Sequence, residues 1–386
     1  MTKSRFSPLL AILLAAPLPA LADSANVSIY GMADVSYDLV DTGTSASGTQ
    51  GTLIDKATSN ASRIGFKGAE DLGGGLAANW QIETLVQLDN SSNSCAAGAA
   101  CTANNGIFAT RNSFGSLSSK DYGTLLIGRY DTPYKIATRK LDSFGDSIAD
   151  NRSLFGTVSS TSAGTSFVTK QPDVVAYTSP MLAGFTAAVA HVNLAETATA
   201  AAAAKANATS LAVMYQSETL YGSLGYETHK LDSVRVGGSE SAWVAAFGYT
   251  LDELALSAAY ESTRDTLGGA TSPTACSRLA ANADCFGHSA AYVTAKYAIG
   301  SGSVKIAYTK AAALAYAANT GATQASFGYD YRLSKHTTLY ALYTRLANET
   351  AANYSLASSA YSSATTTSIG AGSTMSAWSL GFRQTF

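Results

Sequence analysis

A 16-stranded antiparallel β-barrel that crosses a membrane is the fold class this sequence predicts. Three observations predict it. An export signal precedes the body of the chain. The strand-like segments carry apolar and polar side chains in strict alternation. Short and long links between those segments also alternate, without a break from first strand to last.

The export signal comes first in the chain. Lys3 and Arg5 make a basic start, Leu9 to Ala16 an apolar run, and Ala20-Leu21-Ala22 a small-residue cleavage site. That is the layout of a cleaved signal peptide, residues 1–22, with residues 23–386 as one domain. The apolar run is too short to anchor a helix across a bilayer, and Pro17 and Pro19 break its flank. Beyond residue 22 no apolar stretch approaches the roughly 18 residues that a membrane helix needs. A spanning chain without such helices must pair all its backbone groups in a closed barrel.

Composition agrees. Only 13% of the 386 residues are charged, 21 are Tyr and 7 are Pro, which suits long strands with aromatic ends and argues against disorder. Without Lys3 and Arg5, 23 basic residues face 27 acidic ones, a net charge near −4 that points to no nucleic-acid partner.

Alternation of period two marks each strand. Ile64 and Phe66 share one face, with Arg63 and Lys67 on the other. Leu76, Ala78, Trp80 and Ile82 oppose Asn79, Gln81 and Glu83. Trp378, Leu380, Phe382 and Phe386 oppose Ser379 and Arg383. The predicted strands are 26–40, 58–70, 74–88, 106–119, 122–131, 171–179, 182–192, 208–217, 219–231, 240–250, 254–264, 286–299, 301–311, 321–332, 336–348 and 374–386. Long links near 41–57, 89–105, 132–170, 193–207, 232–239, 265–285, 312–320 and 349–373 alternate with short turns such as Asp71-Leu72-Gly73 and Leu333-Ser334-Lys335. A soluble sandwich has no reason to segregate link lengths, whereas a bacterial membrane barrel puts short turns on one rim and long loops on the other.

The four cysteines fall in two of the long links. Cys95 with Cys101, and Cys276 with Cys285, are expected to form two local disulfides in an oxidising compartment. Neither pair has the spacing of a redox or zinc motif. The four His stand singly, and no G-x-S-x-G elbow or paired metal motif is present, so no catalytic residue, metal or cofactor is expected. The last strand ends in Phe386. In a barrel it pairs with the first strand and closes the sheet, and its terminal Phe resembles the end signal read by the barrel-assembly machinery.

Several segments together resemble the trimeric general porins of β-proteobacteria, relatives of the neisserial porins. They are Val27-Ser28-Ile29-Tyr30-Gly31 with Asp34, Ser62-Arg63-Ile64-Gly65-Phe66-Lys67-Gly68, Arg111-Asn112-Ser113-Phe114, Gly128-Arg129-Tyr130, and Tyr329-Asp330-Tyr331-Arg332-Leu333-Ser334-Lys335. The resemblance runs from the first strand to the last. Lys170 and Asp173 depart from it, standing where the family has a basic residue followed by Asn.

The resemblance implies a homotrimer in the outer membrane of a Gram-negative cell, set in lipid and lipopolysaccharide and passing small hydrophilic solutes and inorganic ions. It places link 132–170 as the family's inward-folded third loop. That loop holds Asp142, Asp146 and Asp150, with Lys170 at its end. Alternation puts Arg63, Lys67 and Arg111 on the wall facing it. Acids opposite bases across a wet gap would set up a transverse field that favours polar solutes. Mild anion preference is the family's expectation. Arg129 alternates with apolar Leu125 and Ile127, so the inward position that the resemblance gives it would need a bulge. A substrate-specific channel and a barrel whose loops bind a partner as an adhesin are the alternatives.

Overall fold

The computed structural model describes residues 26–89, 108–156, 167–194, 206–231, 238–266, 284, 286–356 and 369–386. The export signal and all four cysteines lie outside these. Strand β1 is Asn26–Asp41, β2 Leu53–Ser59, β3 Arg63–Gly73, β4 Leu76–Leu85, β5 Ser113–Ser119 and β6 Gly123–Asp131. Helix α1, Pro133–Arg139, precedes β7 Lys170–Thr178, β8 Phe185–Asn193, β9 Ala206–Gln216, β10 Leu220–Leu231 and β11 Ser239–Leu251. The wall is completed by β12 Leu254–Asp265, β13 Ser289–Ile299, β14 Gly302–Ala311, β15 Ala322–Arg332, β16 Thr337–Asn348 and β17 Thr374–Thr385.

Each strand pairs antiparallel with its neighbour, and β1 closes the ring. One edge of β1 pairs with β17, from Met32 opposite Thr385 to Asp41 opposite Ser376. Its other edge pairs with β3 over Asn26–Met32 and with β2 over Val35–Asp41. Strands β2 and β3 are therefore two halves of one wall strand, and the molecule is a closed antiparallel barrel of 16 wall strands. Closure leaves no open edge in the apolar layer.

The second wall strand starts earlier than the alternation predicts, because Leu53–Ser59 pairs inside what reads as a link. The interruption at 60–62 has a local cause. Ala61 sits at φ 54, and Ser62 stands in for the ladder by accepting from the Asp34 amide (2.9 Å) and donating to the Asp34 carbonyl (2.9 Å). The predicted strand 106–119 begins only at Ser113.

Links at one rim run from two to six residues, those at the other from seven to 38. The two faces separate as the alternation requires. Outward stand Ile29, Leu39, Ile127, Leu224, Phe247, Ile306, Trp378 and Leu380, all exposed. Inward stand Asp34, Asp38, Glu227, Glu240 and Glu261, all shut away from the outside. A soluble protein would bury the apolar set; here it forms the outer surface, which only lipid can cover favourably. Phe386 ends the chain on this outer face. Its amide and carbonyl pair with Gly31, and a side chain at Gly31 would strike its ring.

Candidate functional site

The third long link turns inward. Thr132 caps α1 from extended backbone, Pro133 fills the first turn, and the helix packs on the inner faces of β8 to β11. Tyr134 is fully buried. Its amide donates to Ser210 Oγ (3.0 Å) and its hydroxyl to Glu261 Oε2 (2.5 Å). The Gly156 amide donates to the other Glu261 oxygen at 2.8 Å, so one wall carboxylate holds both ends of the segment. Tyr221 and Ser223 both donate to the Ala137 carbonyl, at the helix end. Farther along, Phe167 stacks on His229, which is bridged between Glu227 and Glu240. Phe144, Ile148 and Leu154 pack with Leu342, Leu346 and Tyr340 on the inner face, where Gly328 leaves room for the Phe144 ring. Hydrogen bonds at residues 134, 137 and 156 and apolar burial between them fix the link against the far wall.

The segment carries its own charge balance. Arg139 reaches Asp142 (3.4 Å), Asp146 (2.8 Å) and Asp150 (3.0 Å). Arg152 reaches Asp146 (3.1 Å) and Asp150 (2.6 Å). Asp150 is fully buried and also accepts from the amides of Arg152 and Asp146. Burial alone would raise Asp146, but Arg139 and Arg152 overcome it and hold its carboxyl at about 2. They hold Asp150 far below the usual carboxylate range in the same way. Asp142 is raised instead, by its own burial and then by the Asp150 carboxylate. It braces the turn, accepting from the Phe144 amide, the Asn151 amide and the Tyr292 hydroxyl.

The facing wall is basic around one acid. Glu83 on β4 receives Arg111 Nε at 2.5 Å, lies 3.9 Å from Arg63 Nε and accepts from Tyr30 Oη at 2.9 Å. Arg63 also reaches across to Asp146, 3.7 Å away, and is the residue through which wall and loop meet. Lys67 is exposed and sits 5.2 Å above the Tyr30 ring. Lys170 and Lys135 instead share Asp131 at the root of the link, at 3.5 and 2.5 Å.

Arg129 keeps the alternation of Leu125 and Ile127. A register shift does fall at this point, between Gly128 and Tyr130, but the extra residue is on β7, where Asp173 takes φ 49. Tyr130 turns onto Phe114, and Arg129 Nε donates to the Thr110 carbonyl at 3.1 Å.

Below the link, a polar cavity of about 270 Å³ is lined by Lys140, Lys296, Lys305, Asp330 and Arg383 among others. Lys305 pairs with Asp330 (2.9 Å) and Arg383 with Asp34 (2.6 Å). Around the gap and this cavity, cationic groups outnumber anionic ones.

Sequence reasoning left out Glu83, Arg139 and Arg152 as site residues. Glu83 was within reach, since alternation puts it inward with Asn79 and Gln81. Arg139 stands three, seven and eleven residues before the three aspartates, a spacing that invites pairing only once the link is known to fold on itself. Among the described residues, no group of three or more His, Cys, Asp or Glu could hold a metal ion.

A family model described as "Gram-negative porin" matches residues 9–351. Major outer membrane protein P.IA of Neisseria meningitidis is 31% identical over 200 residues, 47% of this chain and 45% of that protein. Major outer membrane protein P.IB of Neisseria gonorrhoeae is 34% identical over 132 residues, 33% of this chain and 32% of that protein. These matches span less than half the length of the curated relatives. Among solved structures, an anion-selective porin from Comamonas acidovorans superposes with a TM-score of 0.72 at 22% identity, covering 94% of this chain and 100% of that one. At that identity the likeness concerns the fold.

Proposed function

This chain belongs to the Gram-negative porin family, and we propose that it is a water-filled diffusion pore of the outer membrane for small hydrophilic solutes and ions, mildly anion-preferring. The meeting of Arg63 with Asp146 across the lumen carries the reading. It puts a guanidinium donor on one side of the gap and a carboxylate acceptor on the other. A solute passing beside this pair must exchange water for such partners, which a polar molecule can do and an apolar one cannot. The surplus of cations supports anion preference: Arg63, Lys67, Arg111, Arg139 and Arg152 near the gap, and Lys140, Lys296, Lys305 and Arg383 below it.

The site acts by field and geometry, as a channel does, and no residue is assigned a catalytic role. The reading includes a homotrimer, insertion by the barrel-assembly machinery through the Phe386 end, removal of residues 1–22, and disulfides Cys95–Cys101 and Cys276–Cys285. Planar-bilayer recording of the purified mature protein tests it. Large ohmic openings in steps of three, with a reversal potential on the anion side of zero in a salt gradient, are expected. Small openings blocked by one particular solute would favour a substrate-specific channel instead, and no conduction would refute the pore.

A further inference from the structure

The polar cavity under the inward link has that link for a roof and the lumenal face of β12 to β17 for a wall, toward the short-link rim. Two lysines on this wall stand in an arrangement that strands usually avoid. Lys296 on β13 and Lys305 on β14 both point into the cavity, and the register sets them directly opposite each other. Facing side chains on paired strands have Cβ atoms about 4.5–5.5 Å apart, and like charges so placed repel. On their outer sides the pair is flanked by Ala255 and Gly328, neither of which offers a counter-charge.

The acids nearby are already committed. Asp330 pairs with Lys305 at 2.9 Å, and the link lowers the Phe144 ring to within 4.7 Å of the same ammonium. Asp34 holds Arg383 at 2.6 Å and also accepts from the Tyr340 hydroxyl at 2.8 Å. Asp142 faces Arg139 at 3.4 Å and accepts from its own turn. The other two cations of the cavity have no acid. Lys140 lies 3.7 Å from the centre of the Tyr221 ring and donates to Gln216, both uncharged. Lys296 is exposed to the lumen and makes no ion pair among the described residues. The cavity therefore carries two positive charges that the protein does not balance. Leu141, Phe144 and Leu342 add apolar surface beside them.

We propose that this cavity is a saturable binding site for a small dianion, held chiefly by Lys296 with Lys305 and Lys140. The inference rests on the reading of the chain as a diffusion pore. It adds to that reading a stopping place on the short-link side of the gap, separate from the Arg63–Asp146 pair. An anion between Lys296 and Lys305 relieves their repulsion, and a second negative charge balances what is left. In water one contact between unit charges at about 4 Å changes a binding constant about five-fold. The second charge of a dianion meets more than one ammonium, so it should tighten binding about tenfold over a monoanion. A volume of about 270 Å³ admits either a tetrahedral inorganic oxyanion or a dicarboxylate of a few carbons, whose chain would lie on the apolar surface. The two share the chemistry that the site recognises.

Saturation-transfer NMR on the purified barrel in detergent tests this, with succinate and acetate as probes at matched ionic strength. Succinate is expected to half-saturate the parent at a concentration about tenfold below that of acetate. K296Q should bring succinate to within about twofold of acetate. K120Q, a charge removed from an exposed turn at the same rim, should match the parent, and so should R63Q, which alters only the gap. Sulfate then separates the two sources: displacement of succinate by sulfate assigns the site to dianions in general, and its failure assigns it to dicarboxylates. Equal binding of succinate and acetate by the parent overturns the proposal, as does succinate binding by K296Q at the parent's concentration. Loss in R63Q as large as in K296Q also overturns it, since the anion would then be held at the gap. Bilayer recording of the same preparations keeps the two readings apart. A parent that conducts without preferring succinate defeats the dianion site alone, and a K296Q channel that opens is correctly folded.

Discussion

At the residue scale, the gap is set by how each charge is partnered. Glu83 engages Arg111 and Arg63 together and so weakens both as anion-attracting groups. Glu83→Gln removes one negative charge from beside the path. At about 8 Å in water a unit charge is worth about 0.5 kcal/mol, roughly a two-fold bias between anion and cation. Reversal potentials of the variant should therefore move further to the anion side. The loop acids make an opposite kind of prediction, on acid resistance. Asp146 is depressed to about 2 and Asp150 lies lower still. A depressed carboxylate contributes stability that is full above its ordinary value near 3.8 and is lost only as the pH falls through the folded value. The ion pairs of these two acids with Arg139 and Arg152 should then hold from pH 7 to pH 4 and let go only toward pH 2, as amide exchange over residues 146–152 would show, while the raised Asp142 takes up its proton at a higher pH. Alternation found the wall residues because side-chain parity is a local property. It could not find that Arg139 gathers three aspartates, since that depends on a fold-back of the chain that no period encodes. It also left Arg129 on the outward side, and the register shift beside it lies on the partner strand.

At the scale of elements, wall and link are stabilised differently. The strands were legible because each must satisfy two solvents, lipid on one face and water on the other, and that requirement writes itself into period two. The halves of the second wall strand were not, because Ser62 replaces ladder bonds with side-chain bonds, and a Ser carries no unique signal for that. Helix α1 was also missed: at seven residues it is too short for an amphipathic period, and only Thr132-Pro133 announces it. The link depends on a few buried anchors. Glu261→Ala would leave the Tyr134 hydroxyl and the Gly156 amide without their acceptor, at about 1–3 kcal/mol each. The expected outcome is a flickering, noisier open state with the barrel intact by circular dichroism. Arg139→Ala goes further, because it strands buried carboxylates at about 3–5 kcal/mol. Amide exchange over residues 140–152 should rise strongly in that variant, while exchange in β10 to β16 stays slow.

At the scale of the whole molecule, the barrel supplies a frame whose two surfaces have separate tasks. The outer face is mainly apolar. The inner face gathers almost all the buried charge and presses the third long link against one side, which leaves the basic wall of Arg63, Lys67 and Arg111 facing it. Topology, strand count and link alternation could be read from the chain, because closing a sheet in lipid admits few solutions. The shape of the passage could not, because it depends on where one long link comes to rest. The central claim is that this passage conducts and that the Arg63–Asp146 pair lines it. Planar-bilayer recording of the purified protein beside its Arg63→Glu variant tests that claim most directly. Large ohmic openings are expected in both, with an anion-side reversal potential in the parent that moves to or past zero in the variant. Openings whose reversal potential is the same in the two proteins would contradict it, as would a parent that does not conduct.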